Sequence, residues 1–132
     1  MNPKIRNSII AGLICLVIIG FFIFWKLENI KQQKLDALAQ CIEKSGAKFY
    51  GAFWCSHCRA QKKLFTTLFG SAVQYLPYIE CSTPDTNGQL EVCNKAGIKA
   101  YPTWKFSEKS SEEGAMTLEE LSQKTNCPFV VK

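Results

Sequence analysis

The amino-acid sequence predicts an α/β domain of alternating strands and helices behind one N-terminal apolar helix. Residues 9–25 contain no charged side chain, whereas the chain from residue 26 onward holds 14 of the 16 Lys and Arg residues and all 11 acidic residues. In this later part, short apolar runs alternate with segments of helical periodicity, which is the pattern of α/β folds. Cys55 and Cys58 form a Cys-x-x-Cys motif where a predicted strand passes into a predicted helix. The 132 residues have room for one such domain.

The N-terminal segment is predicted to be a short lead, residues 1–7, followed by a transmembrane anchor, residues 8–25. As a helix the apolar run spans about 26 Å, near the lower limit for crossing a bilayer. Trp25 at its end suits the membrane interface, and Lys26 ends the run. The run lacks the small-residue cleavage site of a signal peptide, so an uncleaved anchor is favoured over a cleaved one.

Residues 26–34 are polar and are predicted to form a stalk, and residues 35–132 are predicted to form the globular domain. The first helix of this domain is indicated by apolar residues at helical spacing: Leu35, Leu38, Ala39 and Ile42. A helix over 56–69 is predicted, with Leu64 and Leu68 on one face and Lys62 and Lys63 on a solvated face. The other predicted elements are strands at 48–54 and 73–80, a helix at 87–96, a strand at 101–106, a turn at 107–113, an edge strand at 114–116 and a capped helix at 117–124.

Composition and cysteine usage exclude some functions and favour a compartment. The part of the chain from residue 26 carries a formal charge of only +3, without the clustered basic stripe of a nucleic-acid-binding surface, so no nucleic acid partner is expected. Six of the seven cysteines lie in this part, and an even number in a small domain behind an apolar N-terminus indicates an oxidising compartment. Because the basic residues on the two sides of the anchor nearly balance, the cysteines decide the orientation, with the domain on the extracytoplasmic side.

Cys55 is predicted to begin a helix, where unpaired backbone N–H groups and the helix dipole stabilise a thiolate. The thiolate is the nucleophile of disulfide exchange, so Cys55 is the predicted attacking sulfur and Cys58, one turn later, the resolving one. His57 between them adds positive charge, which favours the reduced form and makes the pair more oxidising, and Trp54 shapes the rim. The alternatives are a structural disulfide or half of a metal site. A zinc site usually has two paired motifs, and this chain has one pair and one His.

The remaining cysteines are interpreted as structural. Cys81 and Cys93 bracket a turn-rich loop, and a disulfide closing it is worth about 2–3 kcal/mol in the chain-entropy model. A second redox relay is the alternative for this pair. Cys41 and Cys127 are paired by elimination and would tie the two ends of the domain together. Cys15 is interpreted as a small apolar residue of the anchor.

Two segments of the chain resemble the thioredoxin superfamily. They are Phe-Trp-Cys-Ser-His-Cys at 53–58 and Gly-Ile-Lys-Ala-Tyr-Pro-Thr-Trp at 97–104. The resemblance implies a thioredoxin fold, a central mixed sheet flanked by helices. It also implies that Pro102 is cis, that its loop packs against the active sulfurs, and that the backbone of Tyr101 meets the substrate. A buried acid of thioredoxin is replaced by Phe49, which leaves Cys58 without an obvious local base.

A closer resemblance is to the thioredoxin-like domain associated with vitamin K epoxide reductase homologues of bacteria and plants. It is carried by residues 46–58, Gln61 and Lys62, residues 78–81 and residues 92–98, and it covers roughly residues 35–107. Those relatives exchange disulfides with a membrane quinone reductase, which this chain would need as a separate partner.

The sequence therefore predicts a membrane-anchored, extracytoplasmic thiol–disulfide oxidoreductase that acts on protein thiols. An oxidase role with a vitamin K epoxide reductase-like partner is favoured, and Trp54, Tyr101 and Pro102 are the predicted substrate-binding residues. No metal and no cofactor beyond the redox-active disulfide are expected. The alternatives are an outward-facing reductase and a non-catalytic metal-binding module using Cys55, Cys58 and His57.

Overall fold

The computed structural model describes residues 2–107 and 110–129. Four α-helices, a short 3₁₀ helix and four strands follow one another within these residues. In chain order they are α1 (Pro3–Lys44), β1 (Lys48–Gly51), α2 (Ser56–Lys63), the 3₁₀ helix (Val73–Tyr75), β2 (Tyr78–Glu80), α3 (Glu91–Lys95), β3 (Thr103–Ser107), β4 (Ser110–Glu113) and α4 (Leu118–Thr125).

The strands form one mixed sheet in the order β2-β1-β3-β4. β1 runs parallel to β2, with Phe49 opposite Tyr78, and antiparallel to β3, with Phe49 opposite Trp104. The parallel pair is connected through α2, since parallel neighbours need a long crossover. The predicted mixed sheet flanked by helices is confirmed.

The main core lies on the face of the sheet to which Phe49 points. Phe49 and Trp104 are fully buried and stack with ring centroids 4.6 Å apart. Gln61 of α2 is also fully buried, and its side chain donates to the carbonyl of Met116 (3.0 Å) and accepts from the Met116 N–H (2.7 Å). Because a buried amide is costly unless its bonds are made, Gln61 fixes α2 against the segment before α4. The other large buried side chains of this core include Leu35, Leu38, Ile42, Phe65 and Leu121.

The predicted lead, anchor, stalk and first domain helix are one continuous helix, α1. Its buried residues begin at Leu35, where the sequence places the start of the domain. Within residues 2–107 and 110–129, α1 is the one helix long and apolar enough to cross a membrane, and it lies near the N-terminus.

α2 ends at Lys63, six residues earlier than predicted, and this changes the environment of the residues that follow. The hydroxyl of Thr66 donates to the Lys63 carbonyl (2.7 Å), and the Thr67 N–H donates to the Gly70 carbonyl (2.8 Å). Two β-branched residues whose side chains compete for backbone carbonyls disfavour further helix. Leu64 and Leu68, predicted to share one face of this helix, lie beyond its last residue and have relative exposures of 43% and 72%.

Three further elements are shorter than predicted. The strand predicted at 48–54 ends at Gly51, and residues 53–54 form a turn before Cys55. The run 73–80 divides at Pro77 into the 3₁₀ helix and β2, because proline cannot donate to a strand ladder. The predicted helix over 87–96 is reduced to α3, since an isolated bridge between Ser82 and Gln89 and a bond from the Thr83 N–H to the Gly88 carbonyl (3.0 Å) hold the preceding residues in a loop.

The C-terminal part differs from the prediction in the position of its strand and agrees with it in the capping box of α4. The predicted turn at 107–113 contains β4, and no strand forms at 114–116, where Gly114 has a positive φ of 102°. Residues 108–109 of this turn lie outside the described residues. The predicted capping box is confirmed: the Thr117 hydroxyl accepts from the Glu120 N–H (3.1 Å) and the Glu120 carboxylate accepts from the Thr117 N–H (2.7 Å).

Candidate active site

Cys55 is the N-cap residue of α2, immediately after the turn that follows β1. Its N–H donates to the Ala52 carbonyl (3.0 Å), and its Sγ accepts a hydrogen bond from the N–H of Cys58 (3.2 Å). The first N–H groups of a helix have no partner within the helix, so a sulfur at the N-cap receives one of them. This is the placement expected for a nucleophilic thiolate, and it stabilises negative charge on Cys55.

Cys58 lies deeper, with a relative exposure of 1%. Gly51 makes this possible, because a Cβ at that position would lie 2.9 Å from the Cys58 Sγ and 3.0 Å from the ring of Tyr78. Burial, followed by the side-chain hydrogen bond with Cys55, raises the pKa of Cys58 from 9.0 to about 12. In the reduced pair, therefore, Cys58 keeps its proton at neutral pH.

Charged and polar groups near Cys58 come from α2 and β2. Lys62 lies one helical turn after Cys58, and its Nζ is 3.2 Å from the centre of the Tyr78 ring, a cation–π contact. The Tyr78 hydroxyl in turn donates to Glu80 Oε2 (2.7 Å). The Lys62 cation acts to lower the pKa of Cys58, against the larger effect of burial. Burial lowers the pKa of Lys62 itself, while Glu80 and Cys58 oppose that shift.

Glu80 also organises the turn in front of the active cysteine. Its Oε1 accepts hydrogen bonds from the N–H groups of Phe53 (3.2 Å), Cys81 (3.1 Å) and Ser82 (2.9 Å). One carboxylate therefore connects the turn after β1 to the end of β2. Phe49, at the position where thioredoxin has its buried acid, stacks on Trp104, and Glu80 lies on the neighbouring strand β2.

Sequence reasoning missed Lys62, Tyr78 and Glu80 as members of the site. The sequence predicts a solvated position for Lys62, but this side chain is only partly exposed. Two signals are present in the sequence: Lys62 follows Cys58 by four residues and so shares its helix face, and Tyr78 and Glu80 are two apart and so share one face of β2.

The loop before β3 lies against Cys55. The Tyr101–Pro102 peptide bond is cis, as the resemblance implies, and the Tyr101 carbonyl oxygen is 3.7 Å from the Cys55 Sγ. Pro102 is buried, and the Tyr101 hydroxyl donates to Gln89 Oε1 (2.6 Å). A group bound to the Cys55 sulfur would therefore lie next to the backbone of Tyr101.

Aromatic side chains border this site. Trp54 is 47% exposed, its Nε1 donates to Ser82 Oγ (2.8 Å), and its ring meets Tyr101 edge to face with centroids 6.1 Å apart. Phe53 beside it is 48% exposed. His57 lies exposed on the first turn of α2. Cys55 itself is buried, with a relative exposure of 7%, and the exposed Phe53 and Trp54 precede it in the chain.

The other cysteines of the domain are paired with one another. Disulfides join Cys81 to Cys93 and Cys41 to Cys127, with Cα–Cα distances of 5.6 Å and 5.8 Å. These are the two pairings that the sequence predicts. Cys15 is a free, exposed thiol on the apolar part of α1. Across residues 2–107 and 110–129, no three His, Cys, Asp or Glu side chains form a group that could hold a metal ion.

The arrangement can carry out thiol–disulfide exchange. One sulfur is held at a helix N-terminus below an open surface, and a second, protonated sulfur lies one turn behind it, within reach for a disulfide with the first.

Comparison with known proteins agrees with this geometry. The family model described as thioredoxin matches residues 28–126, well over half of the chain. The chain is also similar to the thiol-disulfide oxidoreductase LTO1 of Arabidopsis thaliana, with 41% identity over 93 residues, which cover 67% of this chain and 23% of that protein. The chain thus spans less than a quarter of the length of this relative. The match, the mixed sheet and the Cys55–Cys58 site together lead to one conclusion: the chain belongs to the thioredoxin family.

Proposed function

We propose that this chain is a membrane-anchored thiol–disulfide oxidoreductase whose Cys55–Cys58 pair exchanges disulfides with protein thiols. The observation that carries the proposal is the N-cap placement of Cys55, with its Sγ 3.2 Å from the Cys58 nitrogen and 3.7 Å from the Tyr101 carbonyl oxygen. The similarity to a protein named a thiol-disulfide oxidoreductase supports the same class of activity.

In the oxidising direction, a substrate thiolate attacks the Cys55 sulfur of the Cys55–Cys58 disulfide. The S–S bond breaks, a mixed disulfide forms at Cys55, and Cys58 leaves as a thiolate that takes up a proton, since its pKa as a free thiol is about 12. A second substrate thiolate then attacks the substrate sulfur of the mixed disulfide and releases Cys55. Two electrons pass to the chain, and the substrate gains a disulfide.

The side chains around Cys55 have separate roles in this reaction. The Cys58 N–H stabilises the Cys55 thiolate when it is released. The backbone of Tyr101, held by Pro102, lies where it can bond the main chain of a substrate, and Trp54 and Phe53 offer apolar contact. His57 adds positive charge near the thiolate when protonated, which favours the reduced pair. An open surface of this kind suits a protein substrate better than a small molecule.

The direction and the location of the reaction form the finer part of the proposal. α1 carries a candidate membrane span, and two disulfides elsewhere in the domain are typical of an oxidising compartment. Both support a domain on the extracytoplasmic side that oxidises secreted proteins. Its reoxidation is proposed to be carried out by a membrane quinone reductase resembling vitamin K epoxide reductase, which would take two electrons from Cys55 and Cys58.

A redox titration of the full chain in detergent micelles tests the proposal. The chain is equilibrated in glutathione buffers, and alkylation of Cys55 and Cys58 is followed by mass spectrometry. A two-electron couple at about −120 to −200 mV supports an oxidase, whereas a couple near about −270 mV would overturn that direction in favour of a reductase. Cys15→Ala is the matched control, since this thiol lies outside the pair and should leave the couple unchanged.

A second measurement separates catalysis from metal binding. A small amount of the oxidised chain is mixed with a reduced, unfolded protein and an excess of glutathione disulfide, which reoxidises Cys55 and Cys58, and the alkylatable thiols of the substrate protein are counted over time. Turnover supports an enzyme. Stoichiometric binding of zinc or copper by Cys55, Cys58 and His57, without any exchange of disulfides, would contradict the proposal and favour a metal-binding module.

A further inference from the structure

The loop that follows α2, residues 64–70, exposes a concentration of apolar side chains. Leu64, Leu68 and Phe69 have relative exposures of 43%, 72% and 51%. Among the described residues outside α1, three other large hydrophobic side chains are this exposed: Phe53 and Trp54 beside Cys55, and Val92 on α3. We call residues 64–70 the apolar loop.

The apolar loop has a fixed position against α1. The hydroxyl of Thr67 donates to Gln32 Oε1 (2.8 Å), and the Gln32 amide nitrogen donates to Asp36 Oδ1 (2.7 Å). Gly70 packs so closely that a Cβ there would lie 2.8 Å from the Gln32 Cδ. Gln32, in the polar segment of α1 that follows the apolar run, therefore fixes the position of the loop along the helix axis.

From Gln32 the loop extends towards the anchor. The ring of Phe69 meets the ring of Phe24 edge to face, with centroids 6.2 Å apart. Phe24 is eight residues before Gln32, about 12 Å along the helix axis, and it belongs to the uncharged run that ends at Trp25. If residues 8–25 cross the bilayer, Phe69 lies at the same depth as the last apolar turn of the span.

We propose that the apolar loop is a second membrane contact, in which Leu68 and Phe69 insert into the interfacial layer of the bilayer beside α1. This inference rests on the membrane anchoring proposed above. Aromatic and aliphatic side chains at this depth replace water contact with lipid contact, and aromatic residues are enriched at such interfaces. Lys26 and Lys63 flank the two apolar segments and are both exposed, as lysines that meet lipid headgroups are.

Two attachment points would restrict how the domain can turn on its anchor. The apolar loop begins where α2 ends, and Cys55 caps the other end of the same helix, about 12 Å away along its axis. Insertion of the loop therefore fixes one end of the active-site helix relative to the bilayer and sets the direction in which Cys55 is presented.

Depth-dependent quenching of a single fluorophore tests the contact. When Cys55 and Cys58 are oxidised, the full chain contains three disulfides and Cys15 is its one free thiol. In a Cys15→Ala background, Leu68→Cys places a single thiol in the loop, and Val92→Cys places one at an exposed apolar position on α3. α3 packs on the face of the sheet to which Tyr50 points, opposite the face covered by α1. The Cys15→Ala parent must take up no label.

Each chain is labelled in detergent with the environment-sensitive dye NBD and reconstituted into vesicles of phosphatidylcholine and phosphatidylglycerol with or without nitroxide-labelled lipid. The expected result is quenching at position 68 at least threefold stronger than at position 92, with a blue-shifted emission. Label on the native Cys15 reports the span. Strong quenching at Cys15 with equal, weak quenching at 68 and 92 would overturn the loop contact and leave the anchor in place. Weak quenching at all three positions would overturn the anchoring itself.

Discussion

The Cys55–Cys58 pair and the Cys81–Cys93 pair lie on neighbouring parts of one small domain, yet only the first is arranged for exchange. Cys93 is also near the start of a helix, so position on a helix does not separate them. Cys81 and Cys93 are fully buried beside Tyr50 and Ile98 in the second core cluster. Cys55 has a relative exposure of 7%, lies next to the exposed side chains of Phe53 and Trp54, and has a backbone N–H directed at its sulfur.

This difference shows what makes a cysteine pair reactive in this fold. A thiolate must be stabilised, a second sulfur must reach the first, and the substrate needs an access path to the pair. The Cys81–Cys93 disulfide lacks that path, because burial excludes an attacking thiolate from both sulfurs. Under the proposed function, the S–S bond is exchanged at the first pair and stabilises structure at the second.

The largest effect is expected from removing the attacking sulfur. Cys55→Ser should abolish turnover of a reduced, unfolded substrate protein, because the remaining thiol of Cys58 is buried and protonated at neutral pH. The measurement counts the substrate's own thiols, alkylated at successive times and resolved by mass spectrometry, with glutathione disulfide supplied as the oxidant that restores the Cys55–Cys58 disulfide. Cys15→Ala should retain full activity. Residual turnover by the Cys55→Ser chain above about a tenth of the unsubstituted rate would place the nucleophile elsewhere.

Removing the resolving sulfur should stop the reaction at a defined stage. Cys58→Ser leaves Cys55 free to attack a substrate disulfide, but no sulfur is one turn away to release the product. Mixed disulfides between the chain and the substrate should accumulate and be visible on non-reducing gels. A chain with both Cys55→Ser and Cys58→Ser is the control and should form none. If the single Cys58→Ser chain released substrate as fast as the unsubstituted chain, a different resolving cysteine would act.

Removing the Cys81–Cys93 or the Cys41–Cys127 disulfide should lower the stability of the domain and leave the redox potential of Cys55 and Cys58 almost unchanged. Replacing Cys81 and Cys93 by Ala should lower the free energy of unfolding by about 3 kcal/mol, and replacing Cys41 and Cys127 by about 4–5 kcal/mol, since the second pair closes a far longer loop. Urea unfolding in one detergent compares the two substituted chains with the unsubstituted one. Turnover is then measured at a matched folded fraction. If it were lost only in the chain without Cys81 and Cys93, this pair would be a redox relay.

The sequence is sufficient for the parts of the molecule that local rules govern. The helix-capping box at Thr117, the strand-to-helix step at Cys55 and the apolar face around Leu38 all depend on residues a few positions apart. Periodicity predicts α2 too long, because it does not register the hydrogen bond from the Thr66 hydroxyl to the Lys63 carbonyl or the one from the Thr67 N–H to the Gly70 carbonyl.

The polar surroundings of Cys58 escape sequence-based prediction because they depend on strand register. Tyr78 reaches the site only because β2 pairs with β1 so that Tyr78 lies opposite Phe49 and Glu80 opposite Gly51. A shift of one residue would turn both side chains to the other face of the sheet. Helix spacing places Lys62, and not Lys63, on the face of Cys58, but the contact of Lys62 with Tyr78 cannot be known until that register is known.

Lys62 and Lys63 therefore provide the smallest and most selective test. The Lys62 cation acts to lower the pKa of Cys58, so Lys62→Met should raise that pKa further and reduce the thiolate fraction. Below the pKa, resolution of a mixed disulfide by Cys58 becomes about tenfold faster for each unit of rising pH, and the substitution should displace this profile to higher pH. The expected loss of resolution rate at about pH 8 is a few-fold, measured by stopped-flow release of a chromogenic thiol from Cys55.

Lys63→Met is the matched control, because this lysine is one residue away and exposed, and it should leave the profile in place. Equal displacement by both substitutions would mean that Cys58 responds to the overall charge of α2 and not to the contact between Lys62 and Tyr78. A displacement by Lys62→Met alone would instead show that the lysine held on the Tyr78 ring lowers the pKa of Cys58. Lys62 would then assist the deprotonation of Cys58 in a site where Phe49 replaces the buried acid of thioredoxin.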